Sequence, residues 1–308
     1  IVLGGHDIRE GAERQKVTLF EQTASHPSSM CAARCAVSYG CLLPGGVTLQ
    51  TDCDKAYTQS LFDGPPTWVR LPKKWWPKGK GWENIKDPVC PLVYNLYGHP
   101  RAGNGWERFA DKVCKKHGFE PVPEWQSVYW HAELDVLLVI YVDDLLGSGK
   151  EASVRTCLAN LNKDLKFGKP EPIDKYLSCV HKFWKVDSKI TQVQFNMCDY
   201  LRKACDEFAT EEKIKLKPVP TPYVPDRGLV ALEARESQPG RFEKSAAHYL
   251  MTLLYGARQA SPWLIVAITR LASRVHKWSA ECDDRLIRMY DFIHDRIEWC
   301  IYGSLSTD

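Results

Sequence analysis

A run of apolar residues that ends in two adjacent aspartates constrains this chain more than any other feature. Leu137 to Val142 is continuously apolar, and Asp143, Asp144 and the Gly147-Ser148-Gly149 segment follow it. An apolar run of this length with glycines behind it indicates a buried strand that enters a tight turn. Two carboxylates at the tip of such a hairpin repel each other and lose hydration beside the apolar strand. The pattern therefore indicates that another group neutralises the pair.

A divalent cation is the neutralising group that these ligand atoms favour. Oxygen-only ligands select Mg²⁺ or Mn²⁺ over zinc or copper. A third carboxylate, Asp52, lies upstream in a strand predicted from Val47 to Tyr57, so carboxylates from two neighbouring strands can converge. Two ions about 4 Å apart can activate a hydroxyl and stabilise a leaving pyrophosphate. The alternative is an ordinary Asp-Asp turn that faces solvent, because aspartate is a common turn former.

Composition limits the classes of protein to which the chain can belong. A length of 308 residues accommodates two domains, and 44% hydrophobic residues are typical of a globular protein. The net charge of +3 is too small for indiscriminate nucleic-acid binding, so any basic surface must be local. The 12 cysteines form no disulfide framework, which favours reduced thiols in an intracellular compartment. No apolar run approaches the roughly 20 residues of a membrane span.

Hydrophobic periodicity predicts an α+β fold with a helical C-terminal part. Strands are predicted at 47–57, 137–142, 176–184 and 191–195. Helices are predicted at 30–39, 103–117, 154–161 and 200–208, and the chain after residue 240 is expected to be helical, with apolar stripes at 264–275 and 286–297. Prolines make 215–240 an extended linker.

Several sequence blocks resemble the copia-type reverse transcriptases of LTR retrotransposons, in order and in spacing. Gln50 to Tyr57 resembles the first catalytic block, Leu96 to Trp106 the Leu-Tyr-Gly block, and Leu138 to Gly149 the Tyr-Val-Asp-Asp block. Other segments are similar to further parts of the family: Phe20–Pro27, Tyr176–Cys179, Leu253–Tyr255 with Ser261-Pro262, and Met289-Tyr290.

The resemblance implies a right-hand polymerase fold. Residues 1–185 are then partial fingers and a palm with an antiparallel sheet, and 186–302 are a helical thumb or connection. Residues 303–308 are then the start of a missing RNase H region. The chain is expected to be a piece of a polyprotein that also carries integrase and RNase H. The expected location is intracellular, in a cytoplasmic virus-like particle or the nucleus.

The resemblance also assigns roles to individual residues. Asp52, Asp143 and Asp144 would bind two Mg²⁺ or Mn²⁺ ions, and the backbone carbonyl of Cys53 would add a ligand. Expected substrates are an RNA or DNA template-primer and deoxynucleoside triphosphates. The residues implied to touch substrate are Tyr57 under the incoming sugar, Tyr141 and Val142 beside the primer terminus, and Tyr176 and Leu177 at the primer end. From periodicity alone, Tyr57 is an ordinary strand aromatic and Val142 is a core residue.

One departure from the family pattern leaves alternatives open. Arg101 stands where the family usually has a glutamine that contacts the incoming nucleotide. An arginine can bind a triphosphate through two hydrogen bonds, but it cannot accept one. The first alternative is therefore a degenerate retroelement remnant that at most binds nucleic acid. A second alternative, which does not depend on Arg101, is a metal-dependent nuclease or phosphatase that uses the same carboxylates. It does not account for the Tyr-Val-Asp-Asp context or for the ordered blocks.

Overall fold

The computed structural model describes residues 2–4, 8–10, 15–16, 25–223 and 235–307, and these form an α+β protein with antiparallel sheets. The chain divides into two compact units, Ile1–Ile173 and Asp174–Asp308. The predicted mixture of helices and antiparallel strands is confirmed. Most of the segment Phe20–Pro27, the middle of the 215–240 linker and Asp308 lie outside the described residues.

The first unit is built on a six-stranded antiparallel sheet with strand order β10-β3-β9-β8-β7-β6. Its strands are β1 (Arg9–Glu10), β2 (Gln15–Lys16), β3 (Gly46–Asp52), β4 (Trp68–Val69), β5 (Cys90–Pro91), β6 (Glu120–Pro121), β7 (Val128–His131), β8 (Val136–Tyr141), β9 (Asp144–Lys150) and β10 (Glu171–Pro172). Its helices are α1 (Met30–Leu42), α2 (Ala102–Lys116) and α3 (Glu151–Leu161), with short 3₁₀ turns at Ala56–Gln59, Lys73–Trp75 and Trp82–Asn84.

The central strands are fixed by an apolar core. Leu138 of β8 and Leu145 of β9 are fully buried, as the apolar run predicted. The stripe on α2 that includes Trp106 and Val113 packs in the same core, together with Leu158 of α3. Each fully buried leucine contributes roughly 1.5–3 kcal/mol to folding. This packing brings the ends of β3 and β8 and the start of β9 together at the same end of the strands.

The second unit combines a four-stranded antiparallel sheet, in the order β11-β12-β13-β14, with helices. Its strands are β11 (Lys175–Tyr176), β12 (Cys179–Lys185), β13 (Ile190–Asn196) and β14 (Ile301–Ser306). Its helices are α4 (Cys198–Glu212), α5 (Ala246–Ala260), α6 (Ile265–Ala272) and α7 (Ala280–Asp295), with 3₁₀ turns at Pro262–Leu264 and Val275–Lys277. The helical core centres on Phe208, whose ring stacks on Tyr290 with centroids 3.9 Å apart.

The structure corrects three details of the predicted elements. The strand expected from Val47 to Tyr57 ends at Asp52, and the chain then forms the 3₁₀ turn. The strand expected at 176–184 is split into β11 and β12 by a turn. The expectation that the chain is helical after residue 240 is wrong at its end, because Ile301–Ser306 pairs with β13 along its whole length. The boundary predicted after residue 185 falls at the end of β12.

Among the described residues, no helix is long and apolar enough to cross a membrane.

Gly98 fixes a close approach between two segments of the first unit. Its φ is 86°, a left-handed conformation that side chains disfavour. A Cβ at this position would lie 2.0 Å from the carbonyl oxygen of Leu3. The amide of Leu3 donates to the carbonyl oxygen of Tyr97 at 2.7 Å, so the contact is continuous on both sides of the glycine. Only glycine satisfies both requirements.

Replacing Gly98 with alanine is expected to lower the free energy of unfolding by about 1–3 kcal/mol. Both the left-handed backbone and the clash with Leu3 contribute. Gly79→Ala is the matched control, because Gly79 has a φ of 68° and no atom within 4 Å of an added Cβ. Urea denaturation of both variants is the measurement. An equal loss in the free energy of unfolding of both variants would show that the clash with Leu3 does not contribute to the effect.

Candidate functional site

The turn between β8 and β9 contains only Val142 and Asp143. Tyr141 pairs directly with Asp144, so these two residues close the hairpin. Val142 has a φ of 58°, whereas Asp143 is not in the left-handed region. Turns of this type usually have glycine at the first central position. A β-branched residue there is an outlier that costs roughly 1–3 kcal/mol, so surrounding contacts must hold it.

Two hydrogen bonds from outside the hairpin hold the turn. The indole Nε1 of Trp106 donates to the carbonyl oxygen of Val142 at 2.6 Å. The amide of Cys53 donates to the carbonyl oxygen of Asp143 at 2.8 Å. The first bond comes from α2 and the second from the residue after β3. The turn is therefore tied to two separate elements of the first unit.

Strand pairing brings Asp52 to this turn. It is the last residue of β3, and its Cα lies opposite that of Asp144 in the ladder with β9. Side chains directly opposite each other project from the same face of a sheet, with Cβ atoms about 4.5–5.5 Å apart. The carbonyl oxygen of Asp52 accepts from the amide of Gly168 at 3.1 Å, which fixes the end of β3. Asp52, Asp143 and Asp144 therefore lie together at one end of these neighbouring strands.

The electrostatics of the cluster match an anionic site that lacks a counter-charge. Burial raises the pKa of the Asp144 carboxyl to about 6, and the charges of Asp143 and Asp52 contribute to this rise. The pKa of Asp52 is raised by burial and then by Asp143 and Asp54. Every charge that contributes to these two shifts is a carboxylate. A bound divalent cation would remove this repulsion, and an all-oxygen donor set suits Mg²⁺ or Mn²⁺.

The donor set fits such ions by its chemistry, although the carboxylate side chains do not surround a common centre. Among residues 25–223 and 235–307, no group of three acidic, histidine or cysteine side chains already surrounds a common centre. Cys53 is buried, and burial raises the pKa of its thiol far above the ordinary range. A protonated thiol is a poor ligand for a hard cation, which leaves only the backbone carbonyl of this residue for the predicted role.

Two tyrosines border the carboxylates. Tyr57 lies on the 3₁₀ turn after β3, not in a strand, and its ring is 4.5 Å from that of Tyr97. The pKa of each phenol is raised by burial and then by the charge of Asp143. Both rings are therefore within electrostatic range of the turn. Tyr97 was not predicted as a site residue, although the Leu-Tyr-Gly block that contains it was the available signal.

Arg101 lies beside Asp63, which is not one of the three clustered aspartates. Its guanidinium group lies 3.9 Å from the carboxylate of Asp63, and only 13% of its side chain is exposed. Arg108 of α2 also pairs with Asp63. Neither arginine is among the charges that shift the pKa values of Asp52 and Asp144. The structure therefore places Arg101 beside Asp63, where its charge contributes to neither of these pKa shifts.

The predicted primer residues Tyr176 and Leu177 belong to the second unit. Leu177 and Ser178 form the turn between β11 and β12, with φ values of 48° and 66°. The hydroxyl of Tyr255 on α5 donates to the carbonyl oxygen of Leu177 at 2.7 Å. Tyr176 is 2% exposed. This turn, like that at Val142, places residues other than glycine in the left-handed region.

Comparison with known proteins finds a family match for most of the first unit and the start of the second. A family model described as reverse transcriptase (RNA-dependent DNA polymerase) matches residues 50–221, more than half of the chain. The match includes the three aspartates and the four residues predicted to contact the primer. A search of curated proteins finds no match. The family predicted from the ordered blocks is confirmed at the level of reverse transcriptase.

Replacing Asp144 with asparagine is expected to stabilise the metal-free chain at pH 7.5. The folded pKa, about 6, lies above the ordinary value of 3.8, so the stability that this group contributes is present below pH 3.8 and lost as the pH rises through 6. An asparagine does not ionise, and after solvent screening the gain is about 1–2 kcal/mol. Thermal unfolding in a chelating buffer between pH 4 and 8 measures it.

Asp164→Asn is the control of opposite sign. Hydrogen bonds from Lys116 and His117 lower the pKa of the Asp164 carboxyl, so its ionised form stabilises the fold. This variant is expected to lose stability at pH 7.5. A metal-free Asp144→Asn chain that is less stable than the original at pH 7.5 would contradict the electrostatic account of the site.

Proposed function

Because this chain belongs to the reverse transcriptase (RNA-dependent DNA polymerase) family, we propose that it is the polymerase of a copia-type retrotransposon. In this proposal Asp52, Asp143 and Asp144 bind two Mg²⁺ or Mn²⁺ ions. The observation that supports it most directly is the strand register, which sets Asp52 opposite Asp144 beside the turn that carries Asp143. Two neighbouring strands would thereby present oxygen ligands to two metal ions, which is the kind of site that can stabilise both the attacking and the leaving oxygen in nucleotidyl transfer.

The residues of the chain provide binding and orientation. Bound ions supply the positive charge that activates a primer 3′-hydroxyl and stabilises the leaving pyrophosphate. The three carboxylates hold that charge, and the pairing of β3 with β9 sets the spacing between them. Tyr141 and Val142 contact the primer terminus from the hairpin. Tyr57 packs under the incoming sugar and disfavours a 2′-hydroxyl there. The contact of its ring with that of Tyr97 limits the movement of the Tyr57 side chain.

The proposed architecture follows the right-hand polymerases. Residues 1–185 supply partial fingers and the palm sheet, and residues 186–302 supply the helical thumb or connection. Tyr176 and Leu177 hold the primer end from the β11–β12 turn. The substrates are an RNA or DNA template-primer and deoxynucleoside triphosphates. The parent polyprotein carries integrase and RNase H, and it works inside the cell, in a virus-like particle or the nucleus.

Primer extension on poly(rA)/oligo(dT) with Mg²⁺ or Mn²⁺ tests the proposal. Asp143→Asn is expected to reduce extension at least about 10³-fold, because a neutral amide binds a hard cation poorly. Glu151→Gln is the matched control, since Glu151 makes an exposed ion pair with Arg155 on α3, away from the three aspartates in the sequence. This control is expected to extend the primer at the original rate.

Other outcomes separate the alternatives. Tight binding of primer-template without extension would identify a degenerate remnant. Strand cleavage that Asp143→Asn abolishes would identify a nuclease. Extension that survives Asp143→Asn would exclude Asp143 from the mechanism and contradict the proposed three-aspartate site.

Arg101 is proposed to bind the triphosphate of the incoming nucleotide. Its guanidinium group is held at the start of α2 by Asp63, and a rigid fork of donors suits bidentate contact with phosphate. Its charge does not contribute to the pKa shift of Asp144. A role at the nucleotide, away from the metal ligands, is consistent with both observations.

Arg101→Lys is expected to raise the KM for deoxynucleotide about tenfold, with a much smaller change in kcat, because the bidentate contact is lost. Arg108→Lys is the matched control. It alters the other arginine that pairs with Asp63, and its KM is expected to stay unchanged. Steady-state kinetics of both variants provide the measurement. Equal KM values in the original chain and Arg101→Lys would exclude this role.

A further inference from the structure

The peptide bond between Val142 and Asp143 is the part of the hairpin that the strand ladder does not hold. Tyr141 and Asp144 form the last pair of the ladder, and the two residues between them lie beyond it. The left-handed backbone of Val142 is unfavourable for a β-branched residue. Without contacts from outside the hairpin, rotation of this peptide would relieve the backbone strain at Val142. Such a rotation would also move the side chain of Asp143.

Trp106 supplies a contact at this point. The residue is 3% exposed and lies in the apolar core with Ala110 and Val113 of the same helix. An indole can donate a hydrogen bond but cannot accept one, so its partner must be an acceptor. The partner is the carbonyl oxygen of Val142, at 2.6 Å. A buried donor on a packed helix therefore fixes the plane of the Val142–Asp143 peptide.

The next peptide is fixed as well. The amide of Cys53 donates to the carbonyl oxygen of Asp143 at 2.8 Å. The peptide planes on both sides of the Asp143 Cα are thus held, one from α2 and one from the end of β3. Fixing both planes sets the direction in which the carboxylate leaves the backbone. Preorganised ligands bind an ion more tightly because they lose less freedom on binding.

We propose that Trp106 is a positioning residue, which sets the orientation of the Asp143 carboxylate through the Val142–Asp143 peptide. The inference rests on the proposed function, in which Asp143 binds a divalent ion. It assigns to the indole N–H a role distinct from the burial of the ring. A tryptophan that served only as core packing would affect stability and leave ion binding unchanged.

The affinity of the full chain for Mn²⁺, measured by the paramagnetic resonance of the free ion, tests the proposal without requiring catalysis. Trp106→Phe keeps an aromatic ring in the core and removes the donor. It is expected to weaken Mn²⁺ binding about tenfold, the effect of one lost buried hydrogen bond. Trp278→Phe is the matched control, because the indole of Trp278 also donates to a buried acceptor, Asp283, at 2.7 Å in the second unit. Its Mn²⁺ affinity is expected to equal that of the original chain.

A second pair of variants separates positioning from packing. Val142→Gly places in the turn the residue that adopts its backbone without strain. In this background, Trp106→Phe is expected to weaken Mn²⁺ binding less than it does in the original chain. Equal losses in the two backgrounds would overturn the proposed route through the strained turn.

The remaining outcomes distinguish this inference from the proposed function. If Asp143→Asn abolishes Mn²⁺ binding and Trp106→Phe leaves it unchanged, the inference is wrong and the metal site stands. If Trp106→Phe weakens Mn²⁺ binding and the original chain extends no primer, the inference stands and the polymerase function is wrong. Mn²⁺ binding that does not depend on Asp143 would overturn both.

Discussion

The pairing of β3 with β9 is the constraint on which the candidate site depends. It places the carboxylates of Asp52 and Asp144 opposite each other, where they repel. Burial raises the pKa of both carboxyls. The charges of Asp143 and Asp52 add to the rise at Asp144, and those of Asp143 and Asp54 add to the rise at Asp52. The register persists because the buried leucines of β8 and β9 fix the strands and Gly168 fixes the end of β3. Core packing thus maintains an arrangement of like charges that is electrostatically unfavourable, and a bound cation would relieve it.

The parts of the site that sequence could predict are those encoded locally. The apolar run before Asp143 marked a buried strand and its turn, because six consecutive apolar residues that stop at two aspartates are typical of a strand buried on both faces. Helical periodicity located α2, although the prediction began one residue late and ended one residue late. Asp52 could be predicted because it lies in a predicted strand upstream of the turn, and the ordered blocks of the family distinguish it from other acidic residues.

The parts that sequence could not predict depend on contacts between distant residues. Strand β14 has only weak alternation of apolar residues, and it is defined by β13, more than 100 residues earlier. Tyr97 gained its place beside the turn from its packing against Tyr57, 40 residues earlier in the chain. The hydrogen bond of Trp106 spans 36 residues, and helical periodicity predicts that residue as core alone. Periodicity reports which face of an element is buried, but it carries no information on hydrogen bonds across elements.

The two turns predicted to contact the primer share one physical solution. Val142 and Leu177 both occupy the left-handed region, where local propensity favours glycine. In each case an aromatic donor on a helix binds the carbonyl oxygen of that residue, from Trp106 in the first unit and from Tyr255 in the second. A glycine would need no such support, but it would present no side chain. The tertiary hydrogen bond therefore lets each turn keep a side chain at the position where substrate contact is proposed, at a cost in local backbone energy that the surrounding fold offsets.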